Sequence, residues 1–486
     1  MCKTKIVATL GPACHSRETL RSMIKAGVNV VRLNFSHGSA EEHALRARMV
    51  RQLASELNKS VGILADLQGP KIRISCFEEG AVELVKGDTF YLDSRVTERG
   101  GDKFKVGLDY PQLIQDIRLG DTLLLDDGRL RLKVTEVDDN NEWIQTRILN
   151  SGKLSDRKGI NLLGGGLSAP ALTDKDKKDI LTAAEIQADF LAVSFPRNAE
   201  DIEYARELAR EAGCNADIVA KVERAEIIDS PANMDELILA SDSIMVARGD
   251  LAVEIGDERL PFAQKNLIAR ARHFGKPIIT ATQMMESMIE NPVPTRAEVL
   301  DIANAIIDGT DAIMLSAESA AGQYPVEAVE TMVRIARGAE QDIKPDSSSF
   351  EELQPLCEDT ERSFAVSAMV TASKAHKHLG VVVLSRKGET PRLMSRCNSK
   401  ARIWALSSDR SLLGKFTLLR GVTPLYFEYP DFSDTSVSEV VVRYLRDEVE
   451  AHKISSLLIT QFESVDGSGT TNVCRLLTLD KREIAA

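Results

Sequence analysis

Polar residues of the types that bind metal ions and phosphates close six short apolar runs of this sequence. Side chains two positions apart share one face of a β-strand, so polar pairs at strand ends would point into a common site. A single polar strand end is more often a cap or a buried hydrogen-bond partner, but six together indicate chemistry. These residues are Arg32, Asn34 and Ser36; Asp66; Lys221 and Glu223; Arg248 and Asp250; Thr280 and Thr282; Ser316 and Glu318.

Glu223 and Asp250 are the predicted metal ligands. They close neighbouring predicted strands, and no histidine or cysteine accompanies them. Carboxylates alone suit a hard cation such as Mg²⁺ or Mn²⁺, which keeps coordination positions open for substrate oxygens. The alternative interpretation is a pair of solvated carboxylates that cap loops.

Three kinds of group that recognise anions accompany the predicted metal site. Lys221 shares the strand face of Glu223, and a buried ammonium there would stabilise negative charge as it develops on a reacting group. Arg32 and Arg73 add two guanidinium groups suited to phosphate oxygens. The Gly249–Asp250 turn, at a predicted helix start, offers backbone N–H groups to a substrate carboxylate.

Together these groups predict phosphoryl transfer that involves a small carboxylic acid. The sequence contains neither G-x-x-x-x-G-K-[ST] nor G-x-G-x-x-G, so a nucleotide would have to bind in a non-standard way. The residues by themselves do not identify the reaction any further.

Eight runs rich in Val, Ile and Leu alternate with amphipathic stretches, a pattern typical of βα units on a parallel sheet. Eight units predict a closed (β/α)8 TIM barrel, in which catalytic groups lie at the carboxyl ends of the strands. The predicted strands are Lys5–Gly11, Asn29–Ser36, Val61–Gln68, Asp189–Phe195, Asp217–Glu223, Asp242–Asp250, Pro277–Gln283 and Asp311–Glu318.

Three domains are predicted. Residues 1–70 and 171–345 form the barrel and approach the ~250 residues of a typical barrel of this kind. Residues 71–170 alternate short strands with turn signals, which predicts an inserted all-β segment. Residues 346–486 follow a polar linker and predict a separate open-sheet α/β domain. Its predicted strands are Gly380–Leu384, Ile403–Leu406, Thr423–Phe427, Ile454–Thr460 and Cys474–Leu479.

A second anion site is predicted in this last domain. Hydroxyl groups, two cations and a glycine follow a predicted strand and open a helix, which is a generic arrangement for binding anions. A flexible glycine-containing loop could close over them, although an ordinary polar loop is an equally good interpretation. The candidate residues are Ser385, Arg386, Lys387 and Thr390, with Ser468 and Thr470 from the second loop.

The composition narrows the functional class. The chain has 486 residues and a net charge of −12, which argues against a dedicated nucleic-acid binder. No run approaches the ~20 apolar residues of a membrane helix. Seven scattered cysteines without C-x-x-C spacing suit the reduced thiols of the cytoplasm. We therefore predict a cytoplasmic enzyme with neither a nucleic-acid nor a membrane partner.

Six segments resemble motifs of the pyruvate kinase family, in that family's order, and the similarity extends over essentially the whole chain. It implies a phosphotransferase that moves phosphate from phosphoenolpyruvate to ADP, giving pyruvate and ATP in the last step of glycolysis, and it implies a homotetramer. The segments are Lys3–Pro12 (KTKIVATLGP), Val30–Gly38 (VVRLNFSHG), Ile218–Glu223 (IVAKVE), Met245–Glu254 (MVARGDLAVE), Thr280–Met288 (TATQMMESM) and Asp311–Glu318 (DAIMLSAE).

The resemblance also implies roles for single residues. Glu223 and Asp250 would hold Mg²⁺ or Mn²⁺, and Lys221 would stabilise the phosphoryl group in flight. The insert would form a small β-barrel that closes as a lid and excludes water, and the C-terminal α/β domain would be regulatory. The remaining implied roles are phosphate contacts for Arg32 and Arg73, substrate binding for Gly249, Asp250 and Thr282, a place for Thr282 and Ser316 on the route of the proton to the enolate, whose donor stays open, and nucleotide binding for Arg32, Asn34, His37 and Lys158.

One stretch departs from family members that need potassium. Those members resemble D-T-K-G-P-E where this chain has DLQGPK at 66–71, so Lys71 stands in place of a glutamate. A tethered ammonium can supply the positive charge of a monovalent ion. We therefore predict activity without K⁺. The cation site, or its lysine substitute, is predicted at Asn34, Ser36, Asp66, Leu67 and Lys71.

The loop at 385–390 resembles the family's sugar-phosphate effector site but lacks its usual run of small and hydroxyl residues. That difference argues against fructose 1,6-bisphosphate and favours a monophosphorylated sugar or AMP as the activator. Two other functions stay open. A metal-dependent lyase of the aldolase kind shares the carboxylate pair but explains neither the lid nor Lys221. A non-catalytic metabolite sensor does not explain the intact rim residues.

Overall fold

The computed structural model describes residues 2–343, 360–374, 378–397, 399–428, 437–461 and 473–479. Its strands are β1 (Lys5–Thr9), β2 (Val30–Asn34), β3 (Gly62–Asp66), β4 (Ala81–Leu84), β5 (Thr89–Asp93), β6 (Lys105–Val106), β7 (Thr122–Leu125), β8 (Leu130–Val137), β9 (Trp143–Ile148), β10 (Gly152–Ser155), β11 (Ile160–Leu162), β12 (Phe190–Val193), β13 (Asp217–Val222), β14 (Ser243–Ala247), β15 (Ile278–Ala281), β16 (Ala312–Leu315), β17 (Leu379–Leu384), β18 (Arg402–Ser407), β19 (Val422–Tyr426), β20 (Ser456–Gln461) and β21 (Val473–Thr478).

The α-helices of the described residues fall between and after these strands, and short 3-10 helices cover Pro12–Cys14 and Glu286–Ile289. The helices are α1 (Arg17–Ala26), α2 (Ala40–Glu56), α3 (Leu113–Asp116), α4 (Asp174–Glu185), α5 (Ala199–Glu211), α6 (Ala225–Asp229), α7 (Pro231–Ala240), α8 (Arg248–Ile255), α9 (Leu260–His273), α10 (Arg296–Asp308), α11 (Ala317–Ala320), α12 (Pro325–Asp342), α13 (Thr360–Lys374), α14 (Glu389–Arg396), α15 (Arg410–Phe416), α16 (Val437–Tyr444) and α17 (Arg446–Ala451).

Eight parallel strands close into a barrel in the order β1-β16-β15-β14-β13-β12-β3-β2, which confirms the predicted (β/α)8 fold. Buried side chains such as Val7, Leu64, Phe190, Met245 and Ile279 fill its interior. Because strand side chains alternate in direction, the intervening residues face outward and pack on the surrounding helices. The carboxyl ends of the strands form one rim, which we call the mouth, and the opposite end is the foot.

Helix α1 shows how local sequence sets the helix boundaries. The Ser16 hydroxyl accepts a hydrogen bond of 3.1 Å from the Thr19 backbone N–H and caps the first turn. Leu20 and Met23, one helical turn apart, are buried against the barrel. Gly27 ends the helix at φ 137°, a conformation that a side chain would strain. The capped start, the buried face and the end of this helix therefore all follow from its residues.

The inserted segment is rich in short strands, as the sequence predicts, and also contains the one-turn helix α3. Its strands form a two-stranded sheet, β10-β4, and a six-stranded sheet, β11-β7-β8-β9-β5-β6. The predicted hairpin around 139–141 connects β8 and β9, which pair antiparallel. Phe90, Leu132 and Ile144 belong to a hydrophobic core separate from that of the barrel.

The last part of the chain is the predicted open α/β sheet. Its strand order is β19-β18-β17-β20-β21. The first four strands are parallel, and β21 pairs antiparallel to β20 at the edge. All five predicted strands are present. The helices that cover this sheet include α14, which follows β17 directly and contains Thr390.

This C-terminal sheet docks against the foot of the barrel. Arg396, at the end of α14, is buried and pairs with Asp311, just before β16, with Nη1 2.7 Å from Oδ2. Lys5 Nζ donates to the Val422 carbonyl oxygen at 2.5 Å, and Leu418 packs among the interior residues of the barrel. The docking covers the foot. Among the described residues, no helix has the length and apolar character needed to cross a membrane.

Candidate active site

Arg32 and Asp66 form an ion pair at the mouth. The β2–β3 register places Asn34 opposite Asp66, so Arg32 lies one inward-facing position below the rim. Its Nε donates to Asp66 Oδ2 at 2.5 Å, and its Nη1 donates to Thr9 Oγ1 at 3.1 Å. The guanidinium is 12% exposed. Arg32 is therefore held from one side and can still contact an anion in the mouth.

Lys221 lies at the centre of the cluster and is 11% exposed. Its Nζ is 2.9 Å from Glu223 Oε1 and 3.3 Å from Asp66 Oδ1, and it donates to Ser194 Oγ at 2.6 Å. Burial alone would lower the pKa of Lys221, but the two carboxylates raise it above its ordinary value. The side chain is therefore a fixed cation aimed by three partners.

Asp66 is the carboxylate that pairs with both Arg32 and Lys221. It is fully buried, and burial alone would raise the pKa of its carboxyl. Lys221 and Arg32 instead hold that pKa below the ordinary value. An ionised Asp66 thus neutralises part of the positive charge and holds both cations in place.

Glu223 and Asp250 have the electrostatics of a divalent-cation site. Burial raises the pKa of Glu223 to about 7, against the opposing effect of the Lys221 ammonium, and the negative charge of Asp250 adds to the rise. Glu223 Oε2 also accepts from the Phe195 N–H at 2.9 Å. A cation between the two carboxylates would relieve this unfavourable charge. The described residues contain no group of three or more His, Cys, Asp or Glu that could hold a metal. The two carboxylates are the residues that would hold Mg²⁺ or Mn²⁺, ions that commonly keep further positions for water and substrate oxygens.

The predicted strand over Asp242–Asp250 is shorter in the structure. It ends at Ala247, and α8 begins at Arg248. The Arg248 guanidinium is buried, donates to the Thr282 and Gln283 carbonyl oxygens and pairs with Asp301. Arg248, expected at the rim, therefore supports the loop from below, because the chain turns into a helix before it reaches the mouth.

The start of α8 also differs from the expected pair of free N–H groups. The Gly249 N–H donates to Thr282 Oγ1 at 2.8 Å. Thr282 can accept because its backbone is left-handed, at φ 65°, which turns its hydroxyl toward α8. Gly249, Asp250 and Thr282 thus lie together as predicted, but the Thr282 hydroxyl occupies the Gly249 N–H in this structure.

Thr280 and Thr282 do not share a face, contrary to the strand-parity argument. Thr280 is fully buried and donates to Thr310 Oγ1 at 3.0 Å, while its neighbours Ile279 and Ala281 fill the barrel interior. Thr280 therefore faces the surrounding helices. Parity fails because the left-handed residue at 282 reverses the direction of its side chain relative to a regular strand.

Ser316 and Glu318 follow β16 and have different surroundings. Glu318 Oε2 accepts from the Ser316 N–H at 2.7 Å, and its Oε1 accepts from the Met285 N–H at 3.0 Å. This carboxylate is buried and holds two loops together. Within the described part of the chain, the buried Ser316 hydroxyl has no hydrogen-bond partner. Such a group calls for a ligand or water.

Three further predicted residues, Lys71, Arg73 and Lys158, lie in the inserted segment. Arg73 forms an isolated bridge with Gly159, and its N–H donates to Asp109 Oδ1 at 2.7 Å. Lys158 Nζ lies 2.7 Å from Asp126 Oδ1. Lys71 and Asp250 line the same small cavity between the insert and the barrel. The insert and the barrel rim therefore share one cleft.

The predicted monovalent-cation residues are only partly together. Asn34 Oδ1 accepts from the Ser36 N–H at 3.1 Å, and Asn34 is opposite Asp66. The Leu67 side chain, however, is buried in the core between the barrel and its helices, so only its backbone is near the rim. His37, predicted near the nucleotide, is exposed, and its carbonyl accepts from His43 Nε2 at 2.9 Å.

The predicted effector loop is partly described. The Gly388 N–H donates to Ser385 Oγ at 3.0 Å. Ser385 and Thr390 are buried, whereas Arg386 and Lys387 are exposed. The remaining two predicted residues, Ser468 and Thr470, lie outside the described residues.

The sequence argument missed Ser194. This residue follows β12 at the rim, is 1% exposed, and contacts Lys221 while donating to the Leu67 carbonyl at 2.8 Å. The signal was the one used for the other strands, namely a polar side chain at a strand end. Thr9, at the end of β1, was missed in the same way.

Comparison with known proteins agrees with this geometry. A family model described as pyruvate kinase, barrel domain, matches residues 1–329, and one described as pyruvate kinase, alpha/beta domain, matches residues 363–477. The chain is 51% identical to Pyruvate kinase II of Salmonella typhimurium, over 98% of this chain and 99% of the relative. It is 50% identical to a pyruvate kinase of Haemophilus influenzae with the same coverage. It is 39% identical to one of Bacillus licheniformis, over 98% of this chain and 80% of the relative.

Proposed function

The chain belongs to the pyruvate kinase family, and on that premise we propose that it transfers the phosphoryl group of phosphoenolpyruvate to ADP, giving pyruvate and ATP. The observation that supports this most directly is the cluster at the mouth, where Lys221 lies within 3.3 Å of carboxylate oxygens of both Glu223 and Asp66. This oriented cation stands beside Glu223, which together with Asp250 is suited to a divalent ion, and phosphoryl transfer depends on both kinds of positive charge.

In this proposal the substrate is held at both ends. The carboxylate of phosphoenolpyruvate lies at the start of α8, near Gly249, Asp250 and Thr282, where the helix dipole favours negative charge. Arg32 and Arg73 bind phosphate oxygens through their forked donors. Asn34, His37 and Lys158 are placed near the nucleotide. Fixing both substrates in this way converts their reaction into an effectively unimolecular step.

Lys221 acts on the phosphoryl group itself. Its ammonium, already oriented by Asp66, Glu223 and Ser194, stabilises negative charge on the equatorial oxygens during transfer. Mg²⁺ or Mn²⁺ held by Glu223 and Asp250 would supply the further positive charge that the phosphate oxygens need. The P–O bond to the enol oxygen breaks as the bond to the ADP oxygen forms.

The enolate left after transfer takes up a proton at carbon to become pyruvate. We assign Thr282 and Ser316 to the route of this proton, since the buried Ser316 hydroxyl has no hydrogen-bond partner within the described residues. Residues 71–170 close over the mouth as a lid and exclude water, which would otherwise compete with ADP for the phosphoryl group.

We propose that turnover does not require K⁺, with Lys71 supplying the monovalent charge. Lys71 is exposed and lines the cleft beside Asp250, where an ammonium can reach the phosphate region. A coupled assay of pyruvate formation with ADP and Mg²⁺, run in tetramethylammonium, Na⁺ or K⁺ salts, tests this. We expect similar kcat in all three salts.

The outcomes of this assay distinguish failure of the potassium-independence proposal from failure of the proposed reaction. Activity in K⁺ alone would refute potassium independence and leave the reaction unchanged. No pyruvate in any of the three salts would refute the proposed reaction.

We further propose allosteric activation by a monophosphorylated sugar or AMP at Ser385, Arg386, Lys387 and Thr390, with Ser468 and Thr470. The buried Ser385 and Thr390 and the exposed cations support an anion site at the start of α14. Arg386→Ala should weaken activation by ribose 5-phosphate or AMP about tenfold, the effect of one lost charge-assisted hydrogen bond. Titration of activity with each ligand measures it, and equal responses in wild type and variant would refute the site.

The remaining proposals concern the domains, the cellular compartment and the oligomeric state of the enzyme. Residues 1–70 with 171–345, 71–170 and 346–486 are the proposed catalytic, lid and regulatory domains. We place the enzyme in the cytoplasm, because the seven cysteines are scattered along the sequence without C-x-x-C spacing, and as a homotetramer, the usual state of the family. Sedimentation analysis of the purified protein measures the last.

A further inference from the structure

Two buried hydroxyl groups, those of Thr9 and Ser194, lie beside the cations at the mouth. Thr9 ends β1 and Ser194 follows β12, and the two residues are 4% and 1% exposed. In the closed barrel, β1 borders β2, and β12 lies between β3 and β13. The two hydroxyls therefore flank the strands that carry Arg32 and Asp66. Ser194 is also next to the strand that carries Lys221.

The single proton of each hydroxyl is committed to a backbone carbonyl. Thr9 Oγ1 donates to the Leu315 carbonyl oxygen at 2.8 Å. Ser194 Oγ donates to the Leu67 carbonyl oxygen, also at 2.8 Å. A carbonyl oxygen only accepts, and a hydroxyl has one proton and two lone pairs. Each hydroxyl therefore has only lone pairs left for its other neighbours, and it can meet them only as an acceptor.

Those other neighbours are the two cations. Arg32 Nη1 donates to Thr9 Oγ1 at 3.1 Å, and Lys221 Nζ donates to Ser194 Oγ at 2.6 Å. Guanidinium and ammonium groups are donors only, so the donor and acceptor roles match at both contacts. Because the hydroxyl proton is held by a carbonyl, the lone pairs stay turned toward the cation. Each hydroxyl thus fixes the direction of one N–H group of its cation.

Neutral acceptors of this kind differ from the carboxylates of the same cluster. Asp66 pairs with Arg32 through Oδ2 at 2.5 Å and with Lys221 through Oδ1 at 3.3 Å. Glu223 Oε1 lies 2.9 Å from Lys221 Nζ. Each carboxylate orients its cation but also cancels part of the positive charge. A hydroxyl carries no net charge, so it adds a fixed direction without reducing the charge that would stabilise a phosphoryl group.

Ser194 is itself closely packed. The next residue, Phe195, donates its N–H to Glu223 Oε2 at 2.9 Å, which ties the chain after β12 to the end of β13. On another side the backbone of Gly69 approaches so closely that a β-carbon at position 69 would lie 2.7 Å from the β-carbon of Ser194. The hydroxyl that meets Lys221 therefore rests on a support with little room to shift.

We propose that Thr9 and Ser194 are positioning residues of the active site, which hold Arg32 and Lys221 in the orientation used for phosphoryl transfer and leave their charges intact. These roles rest on the proposed function, and both residues act only through the cations. Donors that are already oriented need no reorganisation during the reaction, so loss of either hydroxyl should slow the transfer.

Ser194→Ala removes the neutral acceptor of Lys221. The ammonium then keeps only its two carboxylate partners, and we expect kcat to fall about thirtyfold, the effect of one lost hydrogen bond to a charged group. KM for phosphoenolpyruvate and for ADP should change by less than about twofold, because the loss concerns the transition state. Steady-state kinetics in the coupled pyruvate assay measures both constants.

The matched control for this change is Ser241→Ala. Ser241 lies before β14 at the foot, is fully buried and donates to the Leu237 carbonyl oxygen at 2.7 Å. The control therefore loses a similar buried hydrogen bond to a carbonyl but touches no cation of the mouth. It should keep the wild-type kcat.

A double-mutant cycle shows whether Ser194 acts through Lys221. In the Lys221→Met background the hydroxyl has no ammonium to orient, so adding Ser194→Ala should lower the remaining kcat by less than about threefold. A merely structural role would give the same fall in both backgrounds. The melting temperatures of the four proteins, measured alongside, reveal any loss of the fold independently of the rate.

Thr9 is tested by a change that keeps the shape of the side chain. Thr9→Val removes the acceptor of Arg32, and kcat/KM for phosphoenolpyruvate should fall about tenfold. Thr9→Ser restores the hydroxyl and should recover most of that loss. These two variants serve even if Ser194→Ala does not fold, since they probe the same arrangement at the other cation.

The outcomes distinguish failure of the positioning roles from failure of the proposed function. Wild-type protein that forms no pyruvate would refute the proposed reaction, and the positioning roles with it. If the wild type is active, normal kcat in Ser194→Ala, or the same fall in both Lys221 backgrounds, would overturn the positioning roles alone. Normal kcat/KM in Thr9→Val, or a Thr9→Ser variant as impaired as Thr9→Val, would overturn them as well.

Discussion

Replacing Lys221 with methionine is expected to lower kcat about a thousandfold, because the variant loses the oriented ammonium that stabilises charge on the transferred phosphoryl group. Methionine keeps a similar length and removes only the charge and its hydrogen bonds. In the native structure that charge is surrounded by Glu223, Asp66 and Ser194, so no solvent cation can easily take its place. Steady-state kinetics in the coupled pyruvate assay measures the loss.

The same variant must be separated from simple loss of the fold. Removing a buried cation leaves two buried carboxylates less well compensated, which can cost about 3 kcal/mol of stability. The melting temperature should therefore be measured together with binding of phosphoenolpyruvate and Mg²⁺. Lys25→Met, an exposed change on α1, is the matched control and should keep full activity. A folded Lys221→Met protein with near-normal kcat would exclude the proposed role.

Replacing Lys71 with glutamate is expected to create a dependence on K⁺. The change reverses one charge beside the phosphate region, and two units of charge at several ångströms correspond to about a hundredfold in rate without K⁺. Adding K⁺ should restore a large part of that loss, since a bound ion can return the missing positive charge. The measurement is kcat/KM for phosphoenolpyruvate in tetramethylammonium and in K⁺ salts.

The matched control for this change is Lys86→Glu. Lys86 is also an exposed lysine of the inserted segment, but it does not line the cleft beside Asp250. The control should show the same activity in both salts. If Lys71→Glu lost activity equally in the two salts, the lysine would matter for another reason, and the idea that it replaces a monovalent ion would be wrong.

The local elements of this protein were predictable because each follows from neighbouring residues. The eight barrel strands and the five strands of the last sheet all occur where apolar runs predict them. Helix α1 begins at the Ser16 cap and ends at Gly27. Strand ends were less predictable. The run over Asp242–Asp250 turns into α8 at Arg248, since apolar periodicity does not record where strand pairing stops.

Side-chain direction at the rim was predictable only where the strand geometry continues. Lys221 and Glu223 share a face as expected, and their 2.9 Å contact follows from it. Thr280 and Thr282 do not share a face, because Thr282 adopts a left-handed backbone. The sequence gives no indication of a left-handed backbone when the residue is a threonine.

The amino-acid sequence alone identified the barrel, the inserted segment, the C-terminal α/β sheet and the family, because these depend on periodicity and on motifs that lie within short stretches. Folding in three dimensions decided which groups meet across long distances. It brought Asp66 and Ser194 to Lys221, placed the Leu67 side chain in the core, and paired Arg396 with Asp311 at the foot. Those contacts depend on how the barrel closes and how the last sheet docks. Neither can be predicted from residues that are neighbours in the sequence.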